Sequence, residues 1–169
     1  MRVFKEEQRF NQLWLIALIA ISAIIPIILI CVEYFKNQNS ISTLELILII
    51  LLLVFFSGLI FIFKLSTKID ELGIHYKFFP LNLKYNTISW KSINNAYVRT
   101  YEPISEYGGW GIKGGWNKSK GKAINVSGTI GIQLELADGK KLLIGTKKQI
   151  EAENTIAYYK TQLNHSNNV

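Results

Sequence analysis

The sequence predicts an α+β membrane protein: an N-terminal two-helix transmembrane hairpin, then a small barrel or sandwich of about seven strands with a C-terminal capping helix. Three observations carry this. Apolar runs of 20 residues fill positions 13–32 and 44–63. From residue 67 to 145, short stretches alternate apolar and polar with period two, broken by Gly, Pro and Asp-Gly. An apolar stripe at helical spacing then closes the chain. A length of 169 residues with one cysteine and 49% hydrophobic residues excludes a large multidomain enzyme, a disulfide scaffold, a disordered chain and a many-pass transporter. The division read from these signals is residues 1–66 for the hairpin, 67–163 for the β domain and 164–169 for a polar tail.

The first run carries no charge, and thirteen of its residues are Leu, Ile or Val. Its length matches the hydrocarbon core of a bilayer. At ~0.3–0.6 kcal/mol each, those side chains favour insertion by roughly 5 kcal/mol. Pro26 and Ser22 interrupt it, as membrane helices tolerate. The second run has one charge, Glu45, in its first turn, where a carboxylate suits a helix N-terminus. A cleaved signal peptide is the competing reading of the first run; it is disfavoured by the run's length, the missing small-residue cleavage site and the second span close behind. Arg2, Lys5 and Arg9 before the first run, with Lys64 and Lys68 after the second, predict both termini and the β domain on the cytoplasmic side of the membrane. Phe4 and Phe10 among charged residues read as a short interfacial segment or as a frayed terminus. Cys31 reads as an apolar filler.

Residues 64–169 hold fifteen Lys or Arg against eight Asp or Glu, so this half carries the whole net charge of +7. A basic domain beside a membrane faces anionic headgroups. Nucleic acid is excluded as a partner by the scattered lysines and the single arginine of this half, Arg99. Strands are read at 67–72, 74–78, 87–90, 96–101, 122–126, 130–136 and 140–145, with 81–85 ambiguous and the order taken as an up-and-down meander. Asp138-Gly139 is a hairpin signal. Thr146 through Gln149 fits a capping box, and Ala152, Ile156, Tyr159 and Leu163 form the stripe of the final helix.

These stretches resemble small bacterial membrane proteins with two transmembrane helices and a pleckstrin-homology-like domain. The resemblance rests on residues 67–79, Ile88-Ser89-Trp90 followed by Ile93, Val98-Arg99-Thr100-Tyr101, Tyr107-Gly108-Gly109-Trp110-Gly111-Ile112, and Gly128 onward through Asp138-Gly139 to Gly145-Thr146. It covers most of the chain. Where such proteins often carry proline just inside the final helix, this chain has Gln149. The resemblance implies a pleckstrin-homology-like barrel and no enzymatic activity, and it supplies no settled function.

Catalytic, cofactor and metal chemistry is not legible. Gly109 to Gly114 fits G-x-G-x-x-G, but the residues that follow are poor helix formers. His75 and His165 stand apart, and no Cys or His pair has ligand spacing. His75 reads as an outward-facing strand residue. Asn125-Val126-Ser127 fits a glycosylation acceptor that a cytoplasmic strand never presents. The unusual feature is the loop 102–121. It gathers Tyr107, Trp110 and Trp116 with Lys113, Lys118, Lys120 and Lys122 at its end. Two readings stand. The aromatic residues contact a membrane-protein partner or anionic lipid, or they fold back onto the β domain. The leading expectation is a non-enzymatic, membrane-anchored module that binds through this loop. The alternative is a small accessory subunit of a transport or envelope complex that acts through its transmembrane hairpin.

Overall fold

The computed structural model describes residues 2–37, 41–114 and 121–166, with side chains described as far as residue 162. The fold is mixed α and β, in two compact units: Met1–Arg9 with Lys64–Val169, and Phe10–Phe63.

The N-terminal residues are neither an interfacial segment nor frayed. Phe4–Arg9 forms strand β1, with Phe4, Glu6 and Gln8 buried and Lys5, Glu7 and Arg9 exposed. Residues 1–9 and 64–66 therefore fall with the sheets, not with the apolar helices.

Helix α1, Leu13–Lys36, runs through Pro26. Helix α2, Thr43–Gly58, continues as a 3-10 turn over Leu59–Ile62. Ser42 and Glu45 close a reciprocal capping box at the start of α2. The Tyr34 and Thr43 hydroxyls meet at 2.8 Å between the helices. Leu13–Lys36 and Thr43–Ile62 are each long and apolar enough to cross a membrane, and no residue of α1 or α2 is buried.

After this unit the chain forms β2 (Lys64–Asp70), β3 (Gly73–Phe79) and β4 (Asn86–Ser89). They make an antiparallel sheet in the order β1-β2-β3-β4. Residues 81–85 are not a strand; the Asn82 N–H turns back to the Phe78 carbonyl at 2.8 Å.

The second sheet comprises β5 (Ile93–Thr100), β6 (Gly111–Gly114), β7 (Lys122–Asn125), β8 (Ile130–Leu136) and β9 (Lys141–Gly145). A short helix α3, Pro103–Tyr107, lies between β5 and β6. The order is β5-β8-β9-β7-β6, with β7 parallel to β9. The expected meander of about seven strands is thus corrected to nine strands in two sheets among the described residues. The additions are β1 and β6, and β9 inserts between β8 and β7. Pairing among the described residues gives two sheets, not a closed ring.

Helix α4, Gln149–Ser166, extends three residues into the expected tail. Ala152, Ile156 and Tyr159 are buried as one stripe, joined by Thr155; the side chain of Leu163 lies outside the described residues. Trp90 packs on Tyr159 with ring centroids 5.5 Å apart. Phe4, Leu65, Ile69, Ile74 and Phe78 from the first sheet, and Ala96, Ile124, Ile132, Leu134 and Ile144 from the second, complete the buried apolar core.

Candidate functional site

The first half of the glycine-rich loop is folded onto the second sheet. Successive residues of a strand point to opposite faces, so Arg99, Gln133, Leu143 and Ala123 share one face through the β5–β8–β9–β7 register. Tyr101 and Tyr107 close over that face, buried with Ala123 and Leu143, their rings edge-on at 6.0 Å. Apolar area on both faces of β9 is thereby removed from water.

Polar ties fix the covering layer. The Arg99 guanidinium donates two bonds to the Glu106 carboxylate, at 2.8 and 3.2 Å, one to the Tyr107 hydroxyl at 3.2 Å and one to Gln133 Oε1 at 3.1 Å. The bond to Glu106 holds the Arg99 pKa above its ordinary value. Asn125 Nδ2 donates to the Tyr101 hydroxyl at 2.8 Å, while its Oδ1 accepts the Gly111 N–H at 2.9 Å. Burial pushes the Tyr101 phenol up to about 12, so it stays protonated.

These ties divide the expected contact residues. Tyr107 is 8% exposed and belongs to the core, not to a contact surface. Trp110 is half-buried, and its indole N–H donates to the Gly128 carbonyl at 3.2 Å. Lys113 is half-buried on β6, and Lys122 is exposed on β7. Trp116, Lys118 and Lys120 lie outside the described residues. Strands β6 and β7 pair from Gly111↔Asn125 to Gly114↔Lys122, which brings Trp110, Lys113 and Lys122 to one hairpin at the sheet's edge. Gly121, just before the return strand, has φ +75°, and a Cβ there would lie 2.2 Å from the Lys141 carbonyl oxygen. The turn end of the hairpin is therefore pressed against β9 where only glycine fits.

A second polar cluster was not legible as such. His75 faces outward as read, on the face opposite Ile74 and Phe78, yet it is buried there. Its Nε2 lies 2.8 Å from Asp70 Oδ1, and its Nδ1 lies 2.8 Å from the Thr87 hydroxyl. Burial pushes the Asp70 carboxyl up, but bonds from Lys68, His75 and the Leu72 N–H outweigh it and hold the pKa at about 2. An ionised Asp70 only accepts, so His75 donates to it from Nε2. The chain Asp70–His75–Thr87 crosses three strands, and the Trp90 indole N–H adds a bond to the Asp70 carbonyl at 2.8 Å. The signal lay in the two-residue turn after Asp70. It pairs Lys68 with His75 and brings Asp70 beside both.

A third cluster joins the chain's start to its last helix. Buried Glu6 accepts the Thr146 hydroxyl at 2.5 Å and the Lys147 N–H at 2.8 Å. Gln8 Nε2 donates to the Gly145 carbonyl at 2.8 Å. Thr146 accepts the Lys148 N–H at 3.1 Å, whereas Gln149 bonds Glu153. The expected capping box is thus replaced: the partner that reaches the turn before α4 is Glu6, from a strand 140 residues upstream. Arranged this way, the three clusters hold strands and a helix together.

Compared with family models, curated proteins and solved structures, the chain matches none.

Proposed function

We propose that this chain is a non-enzymatic, membrane-anchored binding module. The apolar unit crosses the bilayer twice, and the two-sheet domain sits at its cytoplasmic surface. The observation that carries this reading is the register of β1 on β2. Arg9, which leads into the apolar unit, is the cross-strand partner of Lys64, which leads out of it. Two neighbouring strand ends lie on one side of a membrane, so the segment between them makes an even number of crossings. Two helices of sufficient length lie between them.

The antiparallel frame β1-β2-β3-β4 and β5-β8-β9, followed by a helix, supports a pleckstrin-homology-like reading, with β6–β7 as an inserted hairpin. That hairpin is the contact surface of the module. It offers a half-buried tryptophan and two lysines to a membrane-protein partner, a combination suited to an interface with an aromatic anchor and a polar rim.

Co-purification from native membranes tests this. The full-length chain is compared with a Trp110→Ala/Lys113→Glu/Lys122→Glu variant whose folding is checked by circular dichroism. A membrane protein recovered with the first and lost with the folded second is the expected result. The same proteins recovered with both would overturn the hairpin as the contact surface and transfer that role to α1 and α2.

A further inference from the structure

The first sheet has two ends, and they differ. At one end, the β2–β3 turn carries Glu71 and Leu72. At the other, the registers align Arg9, Lys64 and Phe79 in one row across β1, β2 and β3. Neighbouring strands are about 4.8 Å apart, so Phe79 stands roughly that far from the residue that directly follows the apolar unit. The β3–β4 connection, residues 80–85, leaves from Phe79. It exposes Leu81 at 64% and Leu83 at 73%, with Tyr85 at 47%. Two leucines this bare on one short turn are costly in water. Lys84 is exposed beside them, and the Lys77 ammonium sits over the Tyr85 ring at 5.0 Å from its centroid. Lys5, Arg9, Lys64, Lys68 and Lys77 share the outer face of the sheet with Glu7 and Asp70, which pair with Lys64 and Lys68 and leave that face net positive.

We propose that residues 80–85 are a third membrane contact, in which Leu81 and Leu83 enter the headgroup–acyl boundary and Lys77, Lys84 and Tyr85 lie at the level of anionic headgroups. This rests on the anchored reading above. Three features of the turn select lipid as its occupant. It leaves the sheet from Phe79, on the row that the chain uses to reach the apolar unit. Its leucines are flanked by lysines and a tyrosine, the composition of an interfacial segment. The surrounding charge is positive, complementary to an anionic leaflet. The contact adds a point of attachment beside the two covalent ones and so opposes tilting of that end of the sheet away from the bilayer surface.

The full chain, with Cys31→Ala, is reconstituted in vesicles of equal phosphatidylcholine and phosphatidylglycerol. Single cysteines replace Leu83, Leu72 or Leu51, and each is labelled with an environment-sensitive fluorophore. Acyl-chain-brominated lipid is the quencher. Leu51 reports on α2 and Leu72, 67% exposed, on the opposite end of the sheet. The expected result is strong quenching at position 51, and quenching at 83 several-fold above that at 72. A Lys77→Glu/Lys84→Glu change should reduce the signal at 83 and leave 51 unchanged. Quenching at 51 with none at 83 overturns the third contact alone. Protection of 83 from aqueous iodide without quenching by brominated lipid also overturns it, because a protein surface then covers the turn. No quenching at 51 overturns the anchored reading and this inference with it.

Discussion

Glu6 is the residue whose removal tests the architecture most directly. It lies on the first strand, is 7% exposed, and its carboxylate accepts both the Thr146 hydroxyl and the Lys147 N–H. A hydrogen bond to a charged partner contributes about 1.5–3 kcal/mol, and a donor left buried without one costs about as much. Glu6→Ala strands two donors at once. Since the two bonds share one carboxylate and relax together, the expected loss is about 3 kcal/mol and not the full sum. Glu6→Gln keeps one acceptor oxygen and should lose about 1 kcal/mol. In a domain of this size, 3 kcal/mol lowers the melting temperature by roughly 10 °C or more. The assay is thermal unfolding of the full chain in detergent, read alongside amide exchange at Lys147 and Lys148. The ordering wild type, Gln, Ala is expected in both, with faster exchange confined at first to the start of α4. If both variants melt with the parent and the Lys147 amide exchanges unchanged, β1 does not cap α4 and the tie between the two sheets is wrong.

Four other outcomes follow from the same geometry. Asp70, held at about 2, contributes stability that is fully present above the ordinary carboxylate pKa and is lost as pH falls towards 2; the loss is about 2 kcal/mol, and Asp70→Asn should flatten that part of a stability–pH profile measured by denaturant unfolding. Gly73 has φ +149°, and a Cβ there would lie 2.1 Å from the Ile88 carbonyl oxygen, so Gly73→Ala should cost about 2–4 kcal/mol in the same unfolding assay by forcing β3 from β4. Arg99→Lys cannot reproduce the paired bonds to Glu106 together with those to Tyr107 and Gln133; a loss of about 1–2 kcal/mol and earlier proteolysis within residues 102–110 are expected. In sealed vesicles of the Cys31→Ala chain, Val3→Cys and Leu72→Cys should react with an impermeant thiol reagent from the same side, and modification from opposite sides would refute the β1–β2 pairing.

The apolar helices are the most legible part of the chain, because a run of twenty residues with at most one charge has few other uses. The alternation Ile130, Ile132, Leu134, Leu136 was equally plain, and β8 spans those residues. What escaped was burial of polar side chains. Strand β1 reads Phe-Lys-Glu-Glu-Gln-Arg, and two of its three inward positions are Glu6 and Gln8. Their inward position depends on Thr146, Lys147 and Gly145, more than 130 residues away. Pattern reading assigns inward and outward from polarity, so it inverts wherever a buried polar group finds a distant partner. His75 failed for that reason: alternation with Ile74 and Tyr76 turned it outward correctly, but Asp70 and Thr87 bury it there. Strand β6 was hidden by glycine, which carries no hydrophobic signal. Tyr107 was misjudged because the loop's composition does not reveal that Arg99 and Glu106 draw it over β9. Parallel pairing of β7 with β9 was beyond any local signal, since an adjacent hairpin is the default for strands joined by a short turn.

The position of β1 before the apolar helices changes what those helices are. A run at the front of a chain is read as a leader or as an anchor from which the rest hangs. Here Phe10–Phe63 is an insertion between two neighbouring strands of one sheet. Cleavage after the first apolar run would remove β1. It would bare the edge of β2 along six paired residues and take away the carboxylate that meets Thr146 and Lys147. A signal peptide is dispensable to the mature fold, and this segment is not. The insertion also links the sheet to the apolar unit through two strand ends instead of one. A single linker lets a domain swivel, whereas two attachments one strand spacing apart oppose rotation about either.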